Sequence, residues 1–121
     1  MKLILFNERP TSWNTLNARL HWKKREVIMK SSKQAVYDAL LAAGITPQSK
    51  MFLFTQPVNI SITAYFKNRP LDSDNICDKP YIDGLREILI RDDSRKYVKK
   101  VTTISEIDDK EPRVEIDIEP V

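Results

Sequence analysis

The chain has 121 residues, 41% of them hydrophobic and 31% charged, which is the composition of a folded globular protein and excludes a disordered one. Its one cysteine, Cys77, excludes an intrachain disulfide and a cysteine-based zinc cluster, and its one histidine, His21, excludes a multi-histidine metal site. No apolar run could span a membrane and Met1–Phe6 is too short for a signal peptide, so we expect a cytoplasmic protein with one domain over residues 1–121.

Four segments have the hydrophobic pattern of β-strands. In the clearest of them, Pro57–Lys67, apolar residues occupy every second position, which predicts a strand that is buried on one side. The other three are Lys2–Phe6, Tyr97–Ile107 and Pro112–Ile118. We expect the first or the last of these strands to lie at an edge of the sheet and to contribute to a subunit interface.

Two segments have helical periodicity. Arg25–Ala43 carries apolar and small residues at helical spacing and is followed by Gly44, a residue that commonly ends helices. Apolar residues at positions 82, 85 and 89 define a second amphipathic helix, whereas residues 7–22 lack clean periodicity and are predicted to form a long loop. The order β-α-β-α-β-β predicts an α+β fold, a mixed sheet with two helices packed on one face.

The net charge of +3 is distributed unevenly along the chain. Residues 1–71 carry eleven basic and three acidic side chains, residues 72–93 carry three and seven, and residues 94–105 carry four basic ones only. An acidic focus between basic segments fits an active site for a polyanion, because basic side chains bind the phosphate backbone and carboxylates hold cations. The acidic run from Glu106 to Glu119 is interpreted as solvated surface charge.

The acidic focus contains two groups of oxygen ligands, D-S-D-N at residues 72–75 and D-D at residues 92–93. Such ligands suit Mg²⁺ or Mn²⁺ and leave positions for water and substrate phosphate. Pro70 disfavours helical backbone at Arg69, so we expect an extended chain up to Asp72, with the Asp72 and Asp74 side chains on one side. Pro80 belongs in a first helical turn, so the second helix should begin near Asp78. On spacing alone, the first group is equally well explained as a turn and helix cap.

The combination of motifs is more specific than either group alone. After D-S-D-N come Lys79, then I-D-G-L at 82–85, then D-D at 92–93 ahead of a basic strand. With this spacing, the segment from Asp72 to Lys100 resembles the RusA family of Holliday junction resolvases. The resemblance implies a RusA-like nuclease domain that is a homodimeric, Mg²⁺- or Mn²⁺-dependent endodeoxyribonuclease of bacteria or their phages. The chain differs from the family pattern in having Pro70 and Leu71 where a basic residue is usual, and Pro80 after Lys79.

The resemblance also assigns roles to individual residues. The family's catalytic carboxylates match Asp72, Asp74 and Asp93, and its functional lysine matches Lys79, which would stabilise phosphate oxygens. The three aspartates would hold one or two Mg²⁺ ions, which activate water and neutralise charge at the scissile phosphate, with Asp92 as an additional or substitute ligand. The expected activity is resolution of Holliday junctions in recombination and repair by paired, symmetric cleavage of phosphodiester bonds.

Basic residues around the motif are candidates for contacts with the DNA backbone. They are Arg19, Lys23, Lys24, Arg25, Arg69, Lys96, Lys99 and Lys100. Trp13 and Trp22, in or beside the first basic group, are suited either to stacking on bases or to a buried structural role. Two other functions stay open: a nuclease for other branched DNA, and a non-catalytic nucleic-acid binding module in which the acidic turn is only structural.

Overall fold

The structure is a computed structural model and describes residues 1–17, 21–46, 54–86, 88–91 and 94–121. Within these ranges the chain forms four strands, three α-helices and one 3-10 turn at Ser73–Asn75. The strands are β1 (Lys2–Phe6), β2 (Val58–Phe66), β3 (Val98–Ile107) and β4 (Arg113–Pro120), and the helices are α1 (Trp13–Asn17), α2 (Trp22–Ala42) and α3 (Lys79–Leu85). The predicted α+β class is confirmed, with the short α1 added in a segment expected to be a loop.

The four strands form one mixed sheet in the order β1-β4-β2-β3. β2 and β3 are parallel because the chain crosses over through α3 between them, and the other two pairs are antiparallel. The edges are therefore β1 and β3. The last strand, β4, is internal, because Val114, Ile116 and Ile118 are completely buried and the strand pairs with both β1 and β2.

The helices α2 and α3 lie together on one face of the sheet and share its hydrophobic core. Their close approach depends on Gly84, where an added Cβ would lie 2.8 Å from the Cβ of Val36. On the same face β2 contributes Val58, Ile60 and Ile62, all with no exposed surface. The predicted arrangement of two helices on one face is confirmed. Among the described helices, none is long and apolar enough to cross a membrane.

The helix bounds differ from the predicted ones for local reasons. α2 begins three residues earlier than expected, at Trp22, because His21 caps it by accepting a hydrogen bond from the Lys23 N–H at 3.2 Å. Its end agrees with the prediction, since Gly44 has a left-handed φ of +80°. α3 begins next to Asp78, as predicted, with Asp78 as its N-cap, but it ends at Leu85 because Arg86 is extended.

Candidate active site

The acidic turn, residues 71–75, lies along the edge strand β3. Ser105 Oγ donates a hydrogen bond to the Leu71 carbonyl at 2.5 Å, and Thr103 Oγ1 donates to the Ser73 carbonyl at 2.7 Å. The turn therefore runs opposite to β3, from Ser105 towards Thr103 and hence towards the beginning of the strand. An open depression of about 510 Å³ separates the two segments, lined by residues 70–73 and 103–105. This direction carries Asp74 towards the end of β3 that follows Ser94 in the chain.

The chain reverses between β2 and the acidic turn at Arg69. The expectation of extended backbone there is wrong, because Arg69 has a left-handed φ of +48°. The Arg9 guanidinium supports this conformation by donating hydrogen bonds to the carbonyls of Asn68 (3.5 Å) and Arg69 (3.0 Å), while its carbon lies 4.9 Å from the Phe66 ring centroid. Without this reversal the chain could not return along β3 from the end of β2.

The two aspartates of the turn differ in backbone conformation. Asp72 is extended, as predicted, with φ −64° and ψ 148°, and its carbonyl accepts a hydrogen bond from the Asn75 N–H at 2.9 Å. Asp74 lies inside the 3-10 turn. The rule that alternate residues of an extended strand point to the same side therefore does not apply to Asp72 and Asp74. Both residues are exposed. Their carboxylates are therefore accessible to solvent, to a cation and to a substrate.

The far end of the turn is held by α1 and by the loop before it. Asn75 Oδ1 accepts a hydrogen bond from the Asn14 N–H at 3.2 Å, and the Cys77 N–H donates to the Thr11 carbonyl at 2.9 Å. Asn75 is thus bound within the protein, in agreement with a structural role rather than a metal ligand. Cys77 is buried, and burial raises the pKa of its thiol.

The same loop is fixed to α3 by a buried hydroxyl. Tyr81 has no exposed surface, and its Oη donates a hydrogen bond to Glu8 Oε2 at 2.9 Å. Burial raises the pKa of Tyr81 far above its ordinary value, with the Glu8 carboxylate as a further cause, so the hydroxyl stays protonated and remains a donor. Sequence reasoning missed Glu8 and Arg9, because neither belongs to a periodic pattern or a motif.

Lys79 is the first residue of α3, four positions after the acidic turn ends. Its Nζ lies 3.4 Å from Asp83 Oδ1, and the lysine side chain is 56% exposed. The Asp83 side chain is only 17% exposed, but ion pairs between positions four apart on a helix contribute about 0.5 kcal/mol, so the energy of this pair is no large obstacle to the ammonium group exchanging Asp83 for a phosphate. The predicted lysine thus follows the turn closely in the chain, and its partner is Asp83, the carboxylate of the I-D-G-L motif.

Three of the predicted site residues, Asp92, Asp93 and Arg19, lie outside the described residues. Within the described ranges no three His, Cys, Asp or Glu side chains are grouped as a metal site. Asp72 and Asp74 still fit Mg²⁺ by chemistry, because this ion is commonly bound by one or two carboxylates together with water and substrate phosphate. The turn is therefore a partial oxygen-ligand set at an accessible surface.

Most of the predicted DNA-contact residues that the structure describes fall into two exposed groups. The first comprises Lys23, Lys24 and Arg25 in the opening turns of α2, and the second comprises Lys96, Lys99 and Lys100 at the start of β3. Arg69, also exposed, lies at the reversal before the acidic turn. Ile28 of α2 and Leu71 line one cavity of about 270 Å³, so the first group precedes, on the same helix, a residue that lies near the acidic turn.

In a comparison with protein families, residues 9–119 match the model described as endodeoxyribonuclease RusA. Comparison with curated proteins and with solved structures gives no match. The matched residues include the acidic turn, Lys79, both basic groups and the residues that brace the turn. Holliday junction endonuclease activity is what this family implies. Since the match covers nearly the whole of the chain, the protein belongs to the RusA family of endodeoxyribonucleases.

Proposed function

We propose that the chain is a Mg²⁺-dependent endodeoxyribonuclease that resolves Holliday junctions by paired, symmetric cleavage of DNA strands, as one nuclease domain over residues 1–121. The observation that carries this proposal is the placement of Asp72 and Asp74 on an exposed turn that is held by hydrogen bonds from β3 and from α1. Asp72 makes no side-chain hydrogen bond that caps the 3-10 turn, so capping does not account for its carboxylate. Family membership supplies the reaction class.

Metal binding at this turn would involve Asp72, Asp74 and Asp93, with Asp92 as an additional or substitute ligand. The bound Mg²⁺, or Mn²⁺ in its place, would activate water and offset negative charge at the scissile phosphate. The protein's own contribution is to fix the ligands: Thr103 and Ser105 hold the backbone on both sides of Asp72, and Asn75 ends the turn. Preorganised ligands lower the cost of ordering the site during catalysis.

Lys79 and the basic groups would bind DNA phosphates. Lys79 would place its ammonium group on the scissile phosphate by leaving Asp83, and it would act as a point charge. Arg19, Lys23, Lys24 and Arg25 would contact the backbone of one DNA arm, and Lys96, Lys99 and Lys100 that of another. Arg69, at the reversal, would contact a phosphate between them. These cations would offset the repulsion between the carboxylates and the DNA.

Cleavage of a synthetic four-way junction tests the proposal directly. We expect purified protein with Mg²⁺ to give paired nicks at symmetric positions on opposite strands, and no cleavage when EDTA replaces the metal. A linear duplex of the same sequence is the control and should remain intact. Preferential cleavage of flaps or three-way forks would identify a nuclease for other branched DNA. Junction binding with no metal-dependent cleavage would identify a binding module and refute the enzyme.

We also propose that the protein is a homodimer, because symmetric nicking of two strands needs two sites and each chain offers one acidic turn. The edge strand β1 supplies apolar surface for a second copy, with Phe6 65% and Ile4 37% exposed on the sheet face opposite the helices. Sedimentation at micromolar concentration should show a dimer, and Phe6→Asp should shift it towards the monomer. A wild-type monomer, with and without DNA, would contradict the resolvase mechanism.

A further inference from the structure

The beginning of α2 carries an exposed tryptophan surrounded by charge. Residues 21–27 are all exposed, although they form the first turns of a 21-residue helix. Trp22 is 63% exposed, its ring stacks on His21 with centroids 5.7 Å apart and planes at 27°, and Lys23 Nζ lies 5.6 Å from its centroid. A tryptophan this exposed offers a large, flat apolar face that is free to contact a binding partner.

The neighbours of Trp22 on the helix surface identify the kind of partner. The positions three and four residues on, which are adjacent on a helix, are Arg25 and Glu26, and both are exposed and charged. Val27 is also exposed, at 67%, but five residues place it about 140° around the helix from Trp22. The two do not form the continuous apolar stripe by which a helix docks into another protein.

A single aromatic ring among cations is suited to a nucleic-acid base with its phosphates. Three basic residues follow Trp22 directly, against one carboxylate at Glu26, so the helix end attracts a polyanion. The flat ring offers a surface for a base whose face is unstacked, and such stacking does not depend on the identity of the base. In a duplex the bases already stack on each other, so the ring selects DNA in which a base face lacks a stacking neighbour, as in a single strand or at an open branch point.

The position of this helix end relative to the acidic turn completes the argument. Ile28 shares a cavity with Leu71, the residue before Asp72, and Trp22 lies six residues, or about 9 Å, further along the helix axis. The acidic turn is also bonded to α1 through Asn14, and α1 ends at Asn17, five positions before Trp22. Trp22 is thus connected to the surroundings of the acidic turn through α2, and it directly precedes the basic residues that bind DNA in the proposed function.

We propose that Trp22, with Lys23, Lys24 and Arg25, forms a platform that stacks on a base left without a stacking neighbour at the branch point of the DNA substrate. This inference rests on the proposed function for its substrate and adds a contact that recognises bases without reading their sequence. The platform distinguishes branched DNA from a continuous duplex, whereas the basic groups bind the phosphate backbone of both kinds of DNA.

Fluorescence tests the contact without cleavage. Trp13→Phe leaves Trp22 as the only tryptophan, because the chain has two. In EDTA, single-stranded oligothymidylate and a four-way junction should quench Trp22 emission, and a linear duplex should quench it much less. Should the Trp13→Phe protein fold poorly, the difference in emission between wild type and Trp22→Phe gives the same signal. Equal quenching by duplex, or none by any DNA, would overturn the platform.

Affinity tests its contribution. Trp22→Ala should bind single-stranded DNA about five- to 150-fold more weakly, the range for one base–aromatic stack, and Trp22→Phe should retain most of the affinity. Val27→Ala is the matched control, an equally exposed apolar residue off the face of Trp22, and should bind normally. Unchanged affinity in Trp22→Ala would refute stacking, and loss of the dimer in that variant would assign Trp22 to a protein interface instead.

The two proposals can fail independently. Junction cleavage with no Trp22 quenching would retain the nuclease and refute the platform. Quenching by single strands with no metal-dependent cleavage of junctions would retain the platform and refute the nuclease.

Discussion

Asp74→Asn should bind a four-way junction at least as tightly as the wild-type protein and cleave it at least about a hundredfold more slowly, a loss of roughly 2.7 kcal/mol in transition-state stabilisation. The amide keeps the shape of the side chain but removes the negative charge that attracts the metal and repels phosphates. The fold should be unaffected, because Asp74 is exposed and the braces of the turn bind the carbonyls of Leu71 and Ser73. Gel-shift in EDTA and a timed cleavage assay in Mg²⁺ measure the two effects separately.

The companion substitutions test whether the aspartates act as one metal site. Asp72→Asn and Asp93→Asn should behave like Asp74→Asn. Double variants should cleave little more slowly than single ones, because one substitution already removes the metal and a second has no further metal to remove. Asp109→Asn is the control, an exposed residue of the turn before β4. Asp108 would be a poor control, because it accepts hydrogen bonds from Lys110 and Arg113. Full cleavage activity in Asp74→Asn would reduce the motif to a structural turn.

The parts of the fold that could be predicted from sequence have a repeating local pattern. β1 has the predicted bounds, and the alternation in β2 matches its buried and half-buried faces residue by residue. The short α1 was missed because only Leu16 among its five residues is buried, too few for a period. α3 was predicted too long because Leu85 and Leu89 are both buried at helical spacing, although the helix ends between them.

The candidate site was predicted in its carboxylates but not in their support. D-S-D-N and Lys79 are a local motif, and the structure places the turn immediately before α3, as expected. The supports are contacts between residues 30 to 61 positions apart: Thr103 with Ser73, Arg9 with Arg69 and Asn14 with Asn75. Such pairs are set by how the strands are ordered in the sheet. No pattern within a single sequence reports that order.

Reversing the charge of Lys23, Lys24 and Arg25 should lower affinity for junctions, and replacing them with Gln gives the size of their contribution. All three are exposed at the start of α2 and lie beside the proposed stacking residue. Each lost phosphate contact reduces the slope of log affinity against log salt by about 0.9, so the triple Gln variant should lose about 2.7 from the slope. The affinity gap to wild type should therefore shrink about fortyfold between about 50 and 200 mM salt.

The same titration ranks the two basic groups against each other. Lys30→Gln is the matched control on the same helix, because Lys30 is exposed but already paired with Glu26 at 3.1 Å. It should leave the slope unchanged, since a lysine neutralised by its own helix releases few counterions from DNA. Replacing Lys96, Lys99 and Lys100 with Gln should reduce the salt slope by a comparable amount if both groups bind DNA arms. An unchanged slope in the first triple variant and a reduced one in the second would move the DNA path from α2 to the start of β3.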